Sequence, residues 1–150
     1  MKKFTIDTGI EEFEINGGKI LRFNPSDINL YKRFIDAQDE MLAVEKKLVA
    51  KAEAAGDNVN GETVILLLSE ADAEMKTILN RVFGEGNDFN DIFEGVNLMS
   101  VATNGERVVT NFVAAILPII EEGAEKAARV QAQGDAARIR GNRAARRAQK

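Results

Sequence analysis

Asn24-Pro25-Ser26-Asp27 divides this chain into a short strand-like segment before it and a helical remainder after it. Asn24 can cap free backbone amides, Pro25 suits the first position of a helix, and Asp27 is favoured by the positive end of the helix dipole. The chain has only two prolines, so little interrupts the helices that follow. These signals predict a helix that runs from Pro25 to about Ala55.

Inside this predicted helix, large apolar residues recur every seven positions in two adjacent rows. Adjacent rows at this spacing form a coiled-coil-like stripe that is buried either within the fold or against a partner helix. Packing within the molecule is the favoured interpretation, and a partner helix is the alternative. The first row consists of Phe34, Met41 and Leu48, and the second of Ile28, Ile35, Leu42 and Val49.

Before the dividing turn, apolar and polar residues alternate as they do in half-buried strands. Asn16-Gly17-Gly18 lies between two such runs and supplies the positive φ angles that a tight hairpin turn requires. A three-residue loop there would place Phe13 opposite Leu21. Phe4 and Ile6 alternate with polar residues in the same way, which predicts a further strand around them.

After the long helix, the sequence predicts a polar loop over residues 56–61 and a second helix over residues 62–83. A short helical turn follows over residues 88–94. Thr103-Asn104-Gly105-Glu106 has the form of a capping box, which predicts that another helix opens there and carries its apolar face as far as Ile120.

The order of these elements predicts a mainly α protein of the α+β class. A short N-terminal antiparallel β-hairpin is followed by a bundle of three to four helices and an extended basic C-terminal helix or tail. We expect residues 1–122 to form the hairpin and helical body, and residues 123–150 to form the basic tail. Beyond Glu122 alanine dominates, and only Val130 and Ile139 could anchor that stretch to a core.

The charge of the chain reverses near its end. Residues 126–150 hold eight basic residues and one acid, a charge of +7, and because the whole chain carries −4, residues 1–125 carry −11. This separation predicts binding through opposite charge, to another copy or to another partner. A protein partner, nucleic acid and simple solubilisation all remain open, although no aromatic residue follows Phe112 to stack on bases. The arginines concerned are Arg138, Arg140, Arg143, Arg146 and Arg147.

Composition removes most kinds of chemistry. The chain has no cysteine and no histidine, so it lacks disulfides, thiolate nucleophiles and the commonest transition-metal ligand. We therefore expect a non-enzymatic protein with no metal and no cofactor. Asp7 and Glu11 precede any apolar stretch, and the longest apolar run, Val113 to Ile120, is far shorter than a membrane span. These features predict an intracellular protein without a signal peptide.

Two acidic and glycine-rich segments invite a ligand-binding interpretation. Gly84-Glu85-Gly86-Asn87 follows a predicted helix and lacks the lysine and hydroxyl of a phosphate-binding loop, so a helix end is favoured. Asp88, Asp91 and Glu94 could share one face of a helical turn and attract a divalent ion. Solvated acids placed against a helix dipole are the favoured alternative.

Several strings of residues, in this order, resemble one family of proteins. Leu21 to Asp27 leads into the long helix, Ile78 to Gly86 closes the second helix, Asp91-Ile92-Phe93 follows, and Phe112 to Ile120 lies in the last helix. This layout resembles the tail assembly chaperones of long-tailed phages and prophages of Gram-positive bacteria. The likeness covers roughly residues 4 to 122.

The resemblance implies a helical protein of the bacterial host cytoplasm that binds the tape measure protein and keeps it soluble before the tail tube polymerises. Such chaperones self-associate, are displaced as tail tube subunits add, and are absent from the finished particle. The alternative is a nucleic-acid-associated or virion connector protein that uses the basic tail. On the chaperone hypothesis, the expected contacts comprise the five arginines of the tail together with Phe34, Met41, Leu48, Phe89, Ile92 and Phe93.

Overall fold

A computed structural model describes residues 1–58 and 60–149 and contains one hairpin followed by helices. The predicted mainly helical class, with an N-terminal antiparallel hairpin and a long C-terminal helix, is confirmed. Val59 of the predicted loop and Lys150 of the predicted tail lie outside the described residues. The elements are β1 (Glu11–Ile15), β2 (Lys19–Phe23), α1 (Ile28–Ala55), α2 (Gly61–Phe83), α3 (Phe89–Ile92) and α4 (Val108–Ala148).

The hairpin has the predicted register, with Phe13 opposite Leu21. Asn16 and Gly17 adopt positive φ angles of 54° and 75°, as a tight turn requires. Phe13 and Phe23 stack with ring centroids 4.5 Å apart on the face of the hairpin that covers the helices. The predicted strand around Phe4 is wrong, because residues 1–10, the N-terminal arm, are exposed and pair with no described strand.

The segment Asn24-Pro25-Ser26-Asp27 forms a turn rather than the first turn of α1. The backbone N–H of Asp27 donates to the carbonyl oxygen of Asn24 at 3.2 Å, and the Asn24 side chain accepts from the N–H of Ser26 at 2.8 Å. Asp27 then caps the helix by accepting from the N–H of Asn29 at 2.9 Å. The prediction that Pro25 opens the helix is therefore wrong, and the predicted end at Ala55 is confirmed.

Helix α1 buries the first of the two predicted rows and exposes the second. Its buried residues alternate at spacings of three and four, so they form one stripe along the helix. Ile28, Ile35, Leu42 and Val49, called the exposed row below, are 36% to 49% exposed, and their predicted burial is wrong. The row that joins Phe34, Met41 and Leu48 in the core consists instead of Leu30, Ala37 and Val44, on the other side.

Helices α1 and α2 form an antiparallel pair that a series of ion pairs holds along one side. Lys47 contacts Glu74 at 2.8 Å, Lys51 contacts Glu70 at 3.3 Å, and Arg81 also pairs with Glu40. Each of these exposed pairs adds little stability by itself. All three pairs fit a single register of the two helices.

Helix α3 and the loop around it close the core beneath the hairpin. The Phe83 ring lies within 5.3 to 6.3 Å of the rings of four other phenylalanines. Buried Asn87 exchanges two hydrogen bonds with the backbone of Arg22 and donates to the carbonyl oxygen of Phe83, so it ties β2 to α2. The predicted helix end at residues 84–87 and the short turn after it are both confirmed.

Helix α4 begins at Val108, so the predicted opening at Thr103 is wrong. Val101 and Arg107 instead form an antiparallel bridge around a turn in which Gly105 has a φ of +85°. The helix passes through Pro118 and across the predicted boundary at residues 122–123 without a break. Its last buried residues are Gly123 and Ala124, and residues 128–149, called the C-terminal extension, are exposed throughout.

Gly123 is the point where α4 meets the turn before α1. A Cβ at this position would lie 1.8 Å from the carbonyl oxygen of Pro25, which is a backbone atom that cannot rotate away. We expect Gly123→Ala to lower the free energy of unfolding by about 1–3 kcal/mol, as overpacking does. Urea denaturation followed by circular dichroism measures this change.

Gly134→Ala and Gly141→Ala are matched controls on the same helix, where an added Cβ would meet nothing within 4 Å. Because alanine favours helix over glycine, each should leave stability unchanged or raise it by up to about 1 kcal/mol. A Gly123→Ala variant as stable as these controls would contradict the close contact.

Candidate functional site

Most of the apolar residues predicted to contact a partner lie in the core. Phe34, Met41 and Leu48 of α1 and Phe89 and Ile92 of α3 are all buried, and Phe93 is half-buried. Packing within the molecule accounts for their helical spacing. A role in partner binding stays a prediction, and it would require the core to open.

The phenylalanines of the α3 region show how tightly this part is closed. The rings of Phe89 and Phe93 each lie against Phe112 of α4, with centroids 5.7 Å and 5.4 Å away. Such edge-to-face contacts stabilise a core beyond simple burial. This cluster therefore joins α3 to α4 and leaves only part of Phe93 accessible.

The exposed row of α1 forms an apolar line on the surface of the helical body. Its four residues follow one another at seven-residue spacing and cover about 31 Å of helix at 1.5 Å per residue. Leu42, in the middle of the row, borders an open groove of about 440 Å³ whose opposite wall is formed by Val113 and Ala114 of α4.

A second open groove continues the same apolar surface toward the end of the α1–α2 pair. Val49 of the exposed row and Val64 of α2 line this groove, which has a volume of about 420 Å³. The neighbouring α2 residues Ile65 and Leu66 are also largely exposed. Sequence reasoning missed these two residues, although a run of five apolar residues from Val64 to Leu68 is more than one buried stripe of a helix needs.

Charged residues lie between the two grooves and on the other side of α1. Glu45 of α1 pairs with Arg107 at 3.3 Å, and the two side chains line neighbouring grooves. On the other side of α1, the hydrogen bond and the charge of Glu74 raise the pKa of Lys47 above its ordinary value. A raised pKa favours the protonated ammonium still further, which makes Lys47 a poor general base.

The five predicted arginines of the tail all lie on the C-terminal extension and are exposed. In the part of the extension that the structure describes, only Arg138 forms an ion pair, at 3.7 Å from Asp135. Arg140, Arg143 and Arg147 fall within about 60° of one another around the helix, and Arg129 shares that face. The extension thus presents one cationic face, while many cations of the helical body pair with neighbouring acids.

Buried polar groups are satisfied inside the molecule. Lys76 donates to Asp72 and to Asn90 at 2.9 Å each, and Asp72 also accepts from the N–H of Leu98 at 2.8 Å. Across residues 1–58 and 60–149, no buried side-chain nitrogen or oxygen lacks a hydrogen-bond partner. No unsatisfied polar group in this part of the chain therefore points toward a bound ligand.

Two of the acidic residues near α3, Asp88 and Asp91, take part in local contacts of the fold. Asp88 caps α3 by accepting from the N–H groups of Asn90 and Asp91, and Asp91 pairs with Lys19 at 3.0 Å. Within the described ranges, no group of three acidic side chains is placed to hold a metal ion.

None of the helices described is both long and apolar enough to cross a membrane. Comparison with models of protein families, with curated proteins and with solved structures gives no match.

The difference between the core and the exposed row can be measured at adjacent positions. Met41 is 7% exposed and Leu42 is 49% exposed. We expect Met41→Ala to lower the free energy of unfolding by about 2–5 kcal/mol, because it leaves a cavity. Leu42→Ala should change it by less than about 1 kcal/mol, as surface substitutions do. Urea denaturation of both variants tests the assignment, and equal losses of stability would contradict it.

Proposed function

We propose that this protein is a phage tail assembly chaperone that binds the tape measure protein and keeps it soluble until the tail tube polymerises around it. The single observation that supports this proposal is the exposed row of α1, Ile28, Ile35, Leu42 and Val49, which is available to a partner. The identity of the partner comes from the family resemblance of residues 4 to 122. On this proposal the protein acts in the host cytoplasm and catalyses no reaction.

The spacing of the exposed row suits a long helical partner. Residues seven apart lie about 10.5 Å apart along a helix, which is the repeat of the apolar stripe in a coiled coil. A tape measure protein without its tube would expose such a stripe along its length and aggregate through it. A partner helix laid along α1 would cover both its own stripe and the row.

Two grooves lie beside the exposed row and could hold side chains of a partner. The first, between α1 and α4, could receive a large side chain of the partner next to Leu42, and the second could receive another next to Val49. The Glu45–Arg107 ion pair between them would favour a polar position on the partner. Apolar contacts beside Leu42 and Val49, about 10.5 Å apart along α1, match positions i and i+7 of a partner helix.

Binding of this kind can be reversed, as displacement by tail tube subunits requires. Four partly exposed side chains offer much less apolar area than the interface of an obligate dimer. The chaperone would therefore need several copies along one tape measure protein. Self-association belongs to the proposal for that reason.

Co-expression with the tape measure protein encoded beside this chain tests the proposal. We expect the chaperone to raise the soluble fraction of the tape measure protein several-fold, and Ile35→Asp together with Leu42→Asp to abolish the gain. Because both side chains are exposed, we expect Asp to cost the fold little while it places charge in an apolar contact. Soluble and insoluble fractions are compared by quantitative immunoblotting.

Val101→Asp is the matched control, because Val101 is 66% exposed and lies outside the row. It should keep the full solubilising effect. If the tape measure protein is equally soluble with and without the chaperone, the proposal is wrong. If the double variant solubilises as well as the original chain, another surface binds the partner.

A second candidate is a nucleic-acid-associated or virion connector protein, which the cationic face of the C-terminal extension favours. With four arginines on one face, the logarithm of the affinity for duplex DNA should fall with the logarithm of salt concentration with a slope of about −3 to −4. Deletion of residues 126–150 should abolish this binding and leave the solubilising effect intact. Fluorescence anisotropy at several salt concentrations measures the slope, and absence of binding at low salt would remove this candidate.

A further inference from the structure

The N-terminal arm exposes large apolar side chains that nothing in the described part of the chain covers. Phe4 is 85% exposed, Ile6 is 67% exposed, and Ile10 is also exposed. Three such residues within ten positions, next to a folded body, mark a surface that meets another molecule. Their alternation with polar residues is the pattern of a strand, yet the arm has no strand partner among the described residues.

The base of the arm is fixed, so the arm leaves the hairpin in a defined direction. The Asn24 side chain donates to the carbonyl oxygen of Thr8 at 2.9 Å, and the N–H of Gly9 donates to the Asp7 side chain at 2.9 Å. Gly9 has a φ of +71°, and a Cβ there would lie 2.7 Å from the Asn24 amide nitrogen. The positive φ favours glycine at this position, and a side chain there would crowd the Asn24 amide.

Strand β1 offers the surface that such an arm needs. It pairs with β2 along one edge, and its other edge has no partner strand in the described residues. An open edge presents unpaired backbone N–H and C=O groups to any strand that approaches. On one face β1 carries the half-buried Phe13 and Ile15, and on the other it carries Glu12 and Glu14.

The charges on the two segments are complementary. Lys2 and Lys3 lie near the tip of the arm, whereas β1 is Glu-Glu-Phe-Glu-Ile. Glu12 contacts Arg22 at 3.6 Å, and Glu14 forms no ion pair with any described residue. A strand that places Phe4 and Ile6 on the face of Phe13 therefore places Lys3 on the face of Glu14.

We propose that the N-terminal arm of one copy adds as a strand to the free edge of β1 in a second copy, and that the second copy returns the same contact. Because the arm runs directly into β1, reciprocal exchange requires antiparallel pairing around a two-fold axis near Gly9. In the register that puts Lys3 opposite Glu14, Phe4 lies opposite Phe13. The two hairpins then form one four-stranded sheet, and the interface closes at two copies.

This interface is separate from the one proposed for the tape measure protein, because it uses the arm and β1 rather than the exposed row of α1. The purified chain alone is therefore sufficient to test it. Sedimentation equilibrium of the full chain between about 1 and 100 µM should show a monomer–dimer equilibrium. Phe4→Ser with Ile6→Ser should abolish the dimer without changing the circular dichroism spectrum, since these side chains contribute nothing to the core.

A charge exchange tests the register. Lys3→Glu and Glu14→Lys should each weaken the dimer by about tenfold, because each places like charges opposite one another twice in a two-fold interface. The variant that carries both changes should recover most of the lost affinity. Ile139→Ser, at an exposed apolar residue of the C-terminal extension, is the control and should leave the dimer unchanged.

A monomeric wild-type chain at 100 µM would overturn the proposal. The proposal would also be overturned if the Phe4→Ser, Ile6→Ser variant sedimented with the same dimer mass as the wild-type chain, because self-association would then use another surface. The antiparallel register would be overturned if the variant with both charge changes dimerised no more tightly than the single variant with the lower affinity.

Discussion

The turn Asn24-Pro25-Ser26-Asp27 is the junction on which the rest of the structure depends. The Asn24 side chain holds both the arm, through Thr8, and the turn itself, through Ser26. The Pro25 carbonyl oxygen sets how closely α4 approaches at Gly123, and Asp27 caps α1. Two segments that are distant in sequence, the arm and α4, thus meet the end of β2 and the start of α1 at four consecutive residues. The polar groups of these residues bond locally, as turn residues do, instead of joining a helix or a sheet.

Local signals in the sequence were sufficient for the hairpin and for the order of the helices after it, because turn and helix-end residues act on their immediate neighbours. The hairpin register and the end of α1 follow from such signals. The starts of α1 and α4 do not follow from local signals. Asn24 and Gly105 form turns there, and these turns compete with a helix start. The strand expected around Phe4 failed for another reason: a strand needs a neighbour, and no pattern within seven residues specifies one.

The surface was harder to predict than the fold. The arginines of the C-terminal extension could be identified from the sequence, because charge is visible there without knowledge of contacts. The exposed row of α1 could not, because two rows flank Phe34, Met41 and Leu48 and both are apolar. Which row is buried depends on the side from which α2 and α4 approach. The Ile28 row is large and aliphatic throughout, whereas the buried one includes the small Ala37, so size alone would have favoured the wrong choice.

The length of α4 has a mechanical consequence. Its 41 residues make a rod of about 62 Å, and its last burial point lies at Gly123 and Ala124. Beyond that point about 37 Å of helix extends without buried contacts. A tilt of about 10° at that point displaces the far end by about 6 Å, roughly one helical turn. A small bend of α4 at the junction would therefore move the arginines at its far end by a much larger distance than it moves the junction itself.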